Sequence, residues 1–96
     1  MKAHYFYIIY SKSLDKFYIG ESENPNQRLQ LHNEHCFKKA YTKSANDWAL
    51  KLVFECEDKS KAQKLERFVK RMKSRKFIEK IIANQTILES IYSSKI

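Results

Sequence analysis

Five side chains in this sequence have the types and the order to act on a phosphate ester: Tyr7, Tyr18, Arg28, His32 and Glu66. An arginine presents a planar fork of donors that matches phosphate oxygens. A histidine four residues later shares its helix face and can donate to the same phosphate or move a proton near neutral pH. Glu66 falls beside the apolar stripe of a helical stretch, within about 60° of Ala62 and Val69 at ~100° per residue. A carboxylate there must be paired or bind a cation. Two tyrosines, an arginine, a histidine and one carboxylate in a basic chain are the parts of a metal-dependent phosphodiesterase. Each also has a plainer reading. Strand tyrosines pack with the hydroxyl at the surface, Arg28 and His32 can lie on a solvated helix face, and Glu66 can pair with a nearby lysine or arginine.

Positioning these groups falls to a few short elements. Residues 4–10 are almost all aromatic or isoleucine, which is strand composition. A polar connection, Ser11 to Lys16, separates them from a second strand at 17–22 that contains the only glycine, Gly20. The two form an antiparallel hairpin. Alternation puts Tyr5, Tyr7 and Ile9 on one face, with Tyr18 and Gly20 sharing a face of the second strand. Gly20 leaves room beside Tyr18 for a ligand or backbone. Asn24-Pro25-Asn26-Gln27 announces a helix over 25–34, with Asn24 as N-cap, Pro25 in the first turn and Gln27 at the capping-box position.

Asp47 to Cys56 reads as a third strand, with Trp48, Leu50, Leu52, Phe54 and Cys56 alternating onto one apolar face. From Asp58 the period becomes helical through Ala62, Leu65, Val69 and Met72. Ser74 then caps a helix carrying Phe77, Ile78, Ile81 and Ile82, and Asn84 caps a last one with Ile87, Leu88 and Ile91. The fold class is therefore α/β: a small three-stranded antiparallel sheet flanked by helices, in the order β-β-α-β-α-α with one further α. With 96 residues, positions 1–96 are read as a single domain.

The formal net charge of +8 favours a polyanionic partner, nucleic acid before a membrane surface. No segment approaches the ~18 apolar residues of a membrane span, and the N-terminus has no secretory pattern. The two cysteines, Cys36 and Cys56, read as reduced thiols of a cytoplasmic protein. His32, His35 and Cys36 lack a partner cluster that would complete a structural zinc site.

Tyr7 in Phe6-Tyr7-Ile8, then Tyr18-Ile19-Gly20, then Arg28 and His32 in Arg-Leu-Gln-Leu-His-Asn, then Glu66, together resemble the GIY-YIG nuclease domain, in its small stand-alone bacterial form. The likeness covers residues 4 to about 83. Tyr18-Ile19-Gly20 carries the second motif as written, whereas the first keeps only its tyrosine, with Tyr5-Phe6 ahead of it. The Lys-Ser-Arg-Lys run at 73–76 also looks like the stand-alone members.

This resemblance implies phosphodiester hydrolysis with one divalent ion, Mg2+ or Mn2+, held by Glu66. It implies that Arg28 neutralises charge developing on the phosphate. Tyr7 or Tyr18 would help deprotonate the attacking water, with His32 assisting that transfer or positioning the phosphate. All five are expected to meet on one concave surface. Glu21, directly after Gly20, must point away from a bound phosphate or join the metal.

The expected function is a metal-dependent endonuclease on DNA, with RNA left open, that selects structure rather than sequence. The alternative is a catalytically weak nucleic-acid-binding module of the same fold in a DNA repair or recombination assembly. Lys38, Lys39 and Lys43, with the cluster Arg71, Lys73, Arg75 and Lys76, are the expected phosphate contacts.

Overall fold

A computed structural model describes residues 3–34 and 45–96. The order is β1 (His4–Ser11), β2 (Lys16–Ser22), α1 (Pro25–Asn33), β3 (Trp48–Cys56), α2 (Lys59–Met72), α3 (Arg75–Ala83) and α4 (Gln85–Lys95). The expected class and order are those observed, and the last helix is present. β1 is the centre of the sheet, with β2 and β3 antiparallel on either side. That arrangement makes β2 an edge strand.

Pairing of Tyr7 with Gly20 and of Ile9 with Tyr18 puts all four on one face. The even-numbered residues of β1 point the other way. On that second face Phe6 and Ile8 join Ile19, Leu52 and Cys56 in a core closed by Ala62, Leu65 and Val69 of α2, Ile81 of α3 and Leu88 of α4. The first face holds a smaller core of Tyr7, Ile9, Ala45 and Trp48, with Leu14, Tyr18, Leu29 and Leu50 packed around it.

The third strand departs from its expected single apolar face. Ile8 pairs with Leu52 but Ile9 pairs with Leu50, so Lys51 is an extra residue bulged from the ladder. Because Ile8 and Ile9 point to opposite faces, so do Leu52 and Leu50. Trp48 and Leu50 therefore feed the small core, and Leu52, Phe54 and Cys56 feed the large one.

Helix ends follow the capping chemistry of the sequence. Asn24 accepts from Gln27 N–H (3.2 Å), Asp58 from Lys61 N–H (2.9 Å), Ser74 from Phe77 N–H (3.1 Å) and Asn84 from Thr86 N–H (3.1 Å). The reciprocal half of the box at α1 is supplied differently: Asn24 N–H donates to Ser22 Oγ (3.0 Å). Lys73, at φ 48°, takes the left-handed position that ends α2. Ser74 can then start α3 at once.

Candidate active site

Tyr7 is 2% exposed, and its ring lies across Gly20. A Cβ on Gly20 would sit 2.6 Å from Tyr7 Oη and 2.7 Å from Cζ. The space left by the missing side chain is thus filled by the Tyr7 ring, not kept for a ligand beside Tyr18. This packing aims the phenol at α1. There Tyr7 Oη and His32 Nε2 share a buried hydrogen bond of 3.0 Å. Tyr18, one pair further along the hairpin, sets its ring 4.8 Å from the His32 ring at 58°. His32 is enclosed between the two tyrosines and is 2% exposed.

Burial and, after it, the positive charge of Arg28 pull the His32 pKa from 6.5 to about 4. The imidazole is therefore neutral at pH 7 and offers one ring nitrogen as acceptor. Burial raises the Tyr7 phenol well above its ordinary value. Tyr18 adds to that rise, Arg28 opposes it, and Glu66 and Glu21 add smaller increments. The charges of Arg28 and Glu66 are both felt at the same hydroxyl.

Arg28 stands one turn before His32 on α1 and lines a polar cleft of ≈ 520 Å³ with Gln27, Leu31 and Lys59. Glu66 comes from the other side of the sheet. Its helix packs against the large core, and the charge of its carboxylate is felt at the Tyr7 hydroxyl. Lys70, one turn on, gives the link: its Nζ is 2.6 Å from Glu66 Oε2 and 5.8 Å from the Tyr18 ring centroid. The five residues do not share one sheet face. Four belong to the α1 side; Glu66 belongs to the helical side and is linked to them through Lys70, which lies over Tyr18.

Lys70 was missed by the sequence reading, although its i+4 spacing from Glu66 was the available signal. Asn33 closes the Arg-Leu-Gln-Leu-His-Asn run of the sequence. Its side-chain amide donates to Trp48 C=O (3.0 Å) and accepts from Trp48 N–H (2.8 Å), pinning the end of α1 to the start of β3. His32 is the residue just before this clamp. Glu21 points to the helical face of the sheet, where it bonds His4. Its sheet face is not that of the tyrosines, yet it lines the same cleft as Arg28, and its charge is felt at Tyr7.

The expected phosphate contacts are dispersed. Lys38, Lys39 and Lys43 lie outside the described residues. Lys73 and Arg75 line a cleft of ≈ 420 Å³ that runs along β2 past Lys16, Tyr18 and Lys70. Arg75 is committed there: it pairs with Asp15 (2.6 Å) and Glu79 (3.2 Å) and donates to Asp15 C=O (2.8 Å), which holds the hairpin turn. Arg71 lines a different cleft, on the outer flank of α2. Lys76 is exposed on α3.

Among the described residues, no three His, Cys, Asp or Glu side chains gather as a metal-holding group. Mg2+ does not need one, since it takes one or two carboxylates and completes its shell with water and substrate phosphate. Glu66, 20% exposed and bound on one oxygen by Lys70, fits as a single carboxylate ligand of that kind. Cys56 is a buried free thiol whose pKa burial pushes up to about 11, which makes it inert. No described helix is long and apolar enough to cross a membrane.

Residues 3–80 match the family model described as the GIY-YIG catalytic domain. No curated protein and no solved structure matches the chain.

Proposed function

The chain belongs to the GIY-YIG family, whose domains are nucleases in general, and from that premise we propose that it is a divalent-metal-dependent endonuclease acting on DNA. The hydrogen bond between Tyr7 Oη and His32 Nε2 carries this reading. A phenol with a raised pKa is a poor base by itself. Bonded to a neutral imidazole, it becomes a relay: Tyr7 Oη takes a proton from the attacking water as its own passes to His32 Nε2. This assigns the water to Tyr7 and leaves Tyr18 to brace His32 from the side.

Arg28 is placed to bind the scissile phosphate and neutralise charge that grows on its oxygens. A bound phosphate also offsets the Arg28 charge that depresses His32, so the imidazole gains proton affinity when substrate is present. Glu66 would hold the divalent ion, which when bound supplies Lewis-acid stabilisation of the phosphate and leaving oxygens. Lys70 orients the carboxylate in the meantime, and lies over Tyr18 beside the basic cleft. The substrate follows that cleft through backbone contacts from Lys16, Lys70 and Lys73, with structure rather than sequence selected.

One observation favours a second reading. The Glu66–Lys70 pair is also what a non-cleaving, nucleic-acid-binding module would contain. Glu66→Gln and Arg28→Ala separate the two. On DNA and RNA of several structures with Mg2+ or Mn2+, Glu66→Gln is expected to abolish cleavage while metal-free DNA binding is retained or slightly tightened. Arg28→Ala is expected to lose cleavage and weaken binding. A wild type that cuts no nucleic acid with either ion, yet binds it as Glu66→Gln does, overturns the enzyme in favour of the module.

A further inference from the structure

Cations of the helical layer fall into two sets. Lys61 holds Glu57 (2.8 Å), Lys70 holds Glu66 (2.6 Å) and Arg75 holds Asp15 and Glu79. Among the described residues, Lys64, Arg67 and Arg71 of α2 and Lys95 of α4 form no such pair, as is also true of Lys59, Lys73, Lys76 and Lys80, but the first four lie together. They surround one shallow cleft of ≈ 270 Å³ whose other lining residues are Phe68 and Ile96. All four are exposed. Among the described residues, no acidic side chain lines the cleft, and none of the four forms an ion pair with a carboxylate. Arg67 Nε donates to the Gln63 carbonyl (3.4 Å), which leaves its charge uncompensated.

Positions 64, 67 and 71 form one stripe along α2, about 10 Å long at 1.5 Å per residue. Like charges at i,i+3 and i,i+4 repel and weaken the helix. An anion lying across them removes that repulsion. Duplex DNA presents a charge every ~1.7 Å of its axis, so a line of cations suits it better than a single small anion. A membrane surface suits it less. Phe68 and Ile96 are packed on the large core rather than projecting, so the cleft offers lipid no apolar anchor.

The stripe also faces away from the site. At ~100° per residue, Arg67, Arg71 and Lys64 lie roughly 100–160° around α2 from Glu66. The two clefts thus lie on different sides of α2, an arrangement that suits a branched or sharply bent nucleic acid better than a straight duplex. We propose that Lys64, Arg67, Arg71 and Lys95 form a second phosphate-backbone site, distinct from the Tyr18 cleft, that holds another arm of the same nucleic acid. It rests on the proposed function in taking nucleic acid as the partner and the Tyr18 cleft as the place of the first arm.

The test uses the full chain without divalent ions, a three-way DNA junction and a linear duplex of equal base-pair count. The variant is Lys64→Gln/Arg67→Gln/Lys95→Gln. Its affinity for the junction is expected to fall at least ~10-fold near 0.1 M salt, and the log–log salt slope to become shallower by about 2–3, at ~0.9 per lost phosphate contact. Linear duplex binding is expected to change less than about threefold, by the same counting of contacts. The charge-preserving Lys64→Arg/Arg67→Lys/Lys95→Arg is expected to bind as wild type. Arg67→Gln alone, the mildest change, should still reduce the slope by about one.

An unchanged junction slope overturns the site. Equal losses on both substrates overturn its separateness from the Tyr18 cleft. Unchanged DNA binding with lost binding to phosphatidylserine-containing vesicles assigns the cluster to lipid and overturns it too. The readout is binding without metal, so it can fail while cleavage is observed, or hold while cleavage is absent.

Discussion

The two faces of the sheet are built from the same strands and do different work. On the helical face Phe6, Ile8, Leu65, Ile81 and Leu88 are completely buried beneath three helices. Among the described residues, the α1 face buries Tyr7, Ile9, Ala45 and Trp48 as its core, and it encloses the polar pair Tyr7–His32. β1 serves both, even residues to one and odd residues to the other. Apolar burial stabilises without direction, so the helical face can carry the fold. A buried phenol and imidazole cost stability unless they bond each other, and their worth is their fixed geometry.

The contrast breaks most visibly in a large-to-small change on the helical face. Leu65→Ala should lower unfolding stability by about 2–5 kcal/mol. Urea titration measures it, and the fraction that remains folded should keep the proposed nuclease activity. If activity per folded molecule falls as steeply as stability, the two faces are not separable.

Acid probes the other face. His32 titrates at about 4 in the folded chain against about 6.5 unfolded. Between those values the unfolded chain binds more protons, so stability is full above pH ~6.5 and declines as pH falls towards ~4. The loss expected is about 3 kcal/mol. Asp15 and Asp47, whose carboxyls are held below their usual 3.8 by Arg75 and by Ser11 and Ser13, act only at lower pH. His32→Gln should flatten the profile between pH 4 and 6.5. A profile that keeps its slope in that variant would place the linkage elsewhere.

A smaller effect tests how the small face is shaped. Gly20→Ala drives a methyl against the Tyr7 ring and should cost about 1–3 kcal/mol. Because the ring must move, the Tyr7–His32 bond should lengthen, and cleavage should fall by more than Leu65→Ala causes per folded molecule. Wild-type cleavage in Gly20→Ala would show that ring placement is not the reason for this glycine. The smallest change is expected from Arg75→Ala, which releases the exposed hairpin turn. Its Tm should drop by less than that of Gly20→Ala, and high salt should shrink the difference.

Much of this protein follows from the sequence alone, because its signals are local. Aromatic and β-branched runs specify the hairpin, side-chain oxygens at Asn24, Asp58, Ser74 and Asn84 start the four helices, and strand alternation already puts Tyr18 and Gly20 on one face of their strand. Those outcomes depend on neighbours a few residues away, so tertiary context does not reverse them. The spacing of Tyr7, Tyr18, Arg28, His32 and Glu66 was legible too, as a family pattern.

What only the tertiary structure decided is whatever depends on long-range pairing. The Lys51 bulge exists because β3 must feed two cores at once, and the even spacing of its apolar residues cannot reveal a change of face. Gly20 has its role because a ring two strand positions from Tyr18, on the neighbouring strand, needs the space. Arg75 is tied to the hairpin turn 60 residues earlier in sequence, and Arg71, four residues before it, faces another cleft. A helix turns ~100° at each residue, so cations adjacent in sequence part company in space. Charge along a chain gives the class of partner; only the fold says which cations stand free to meet it.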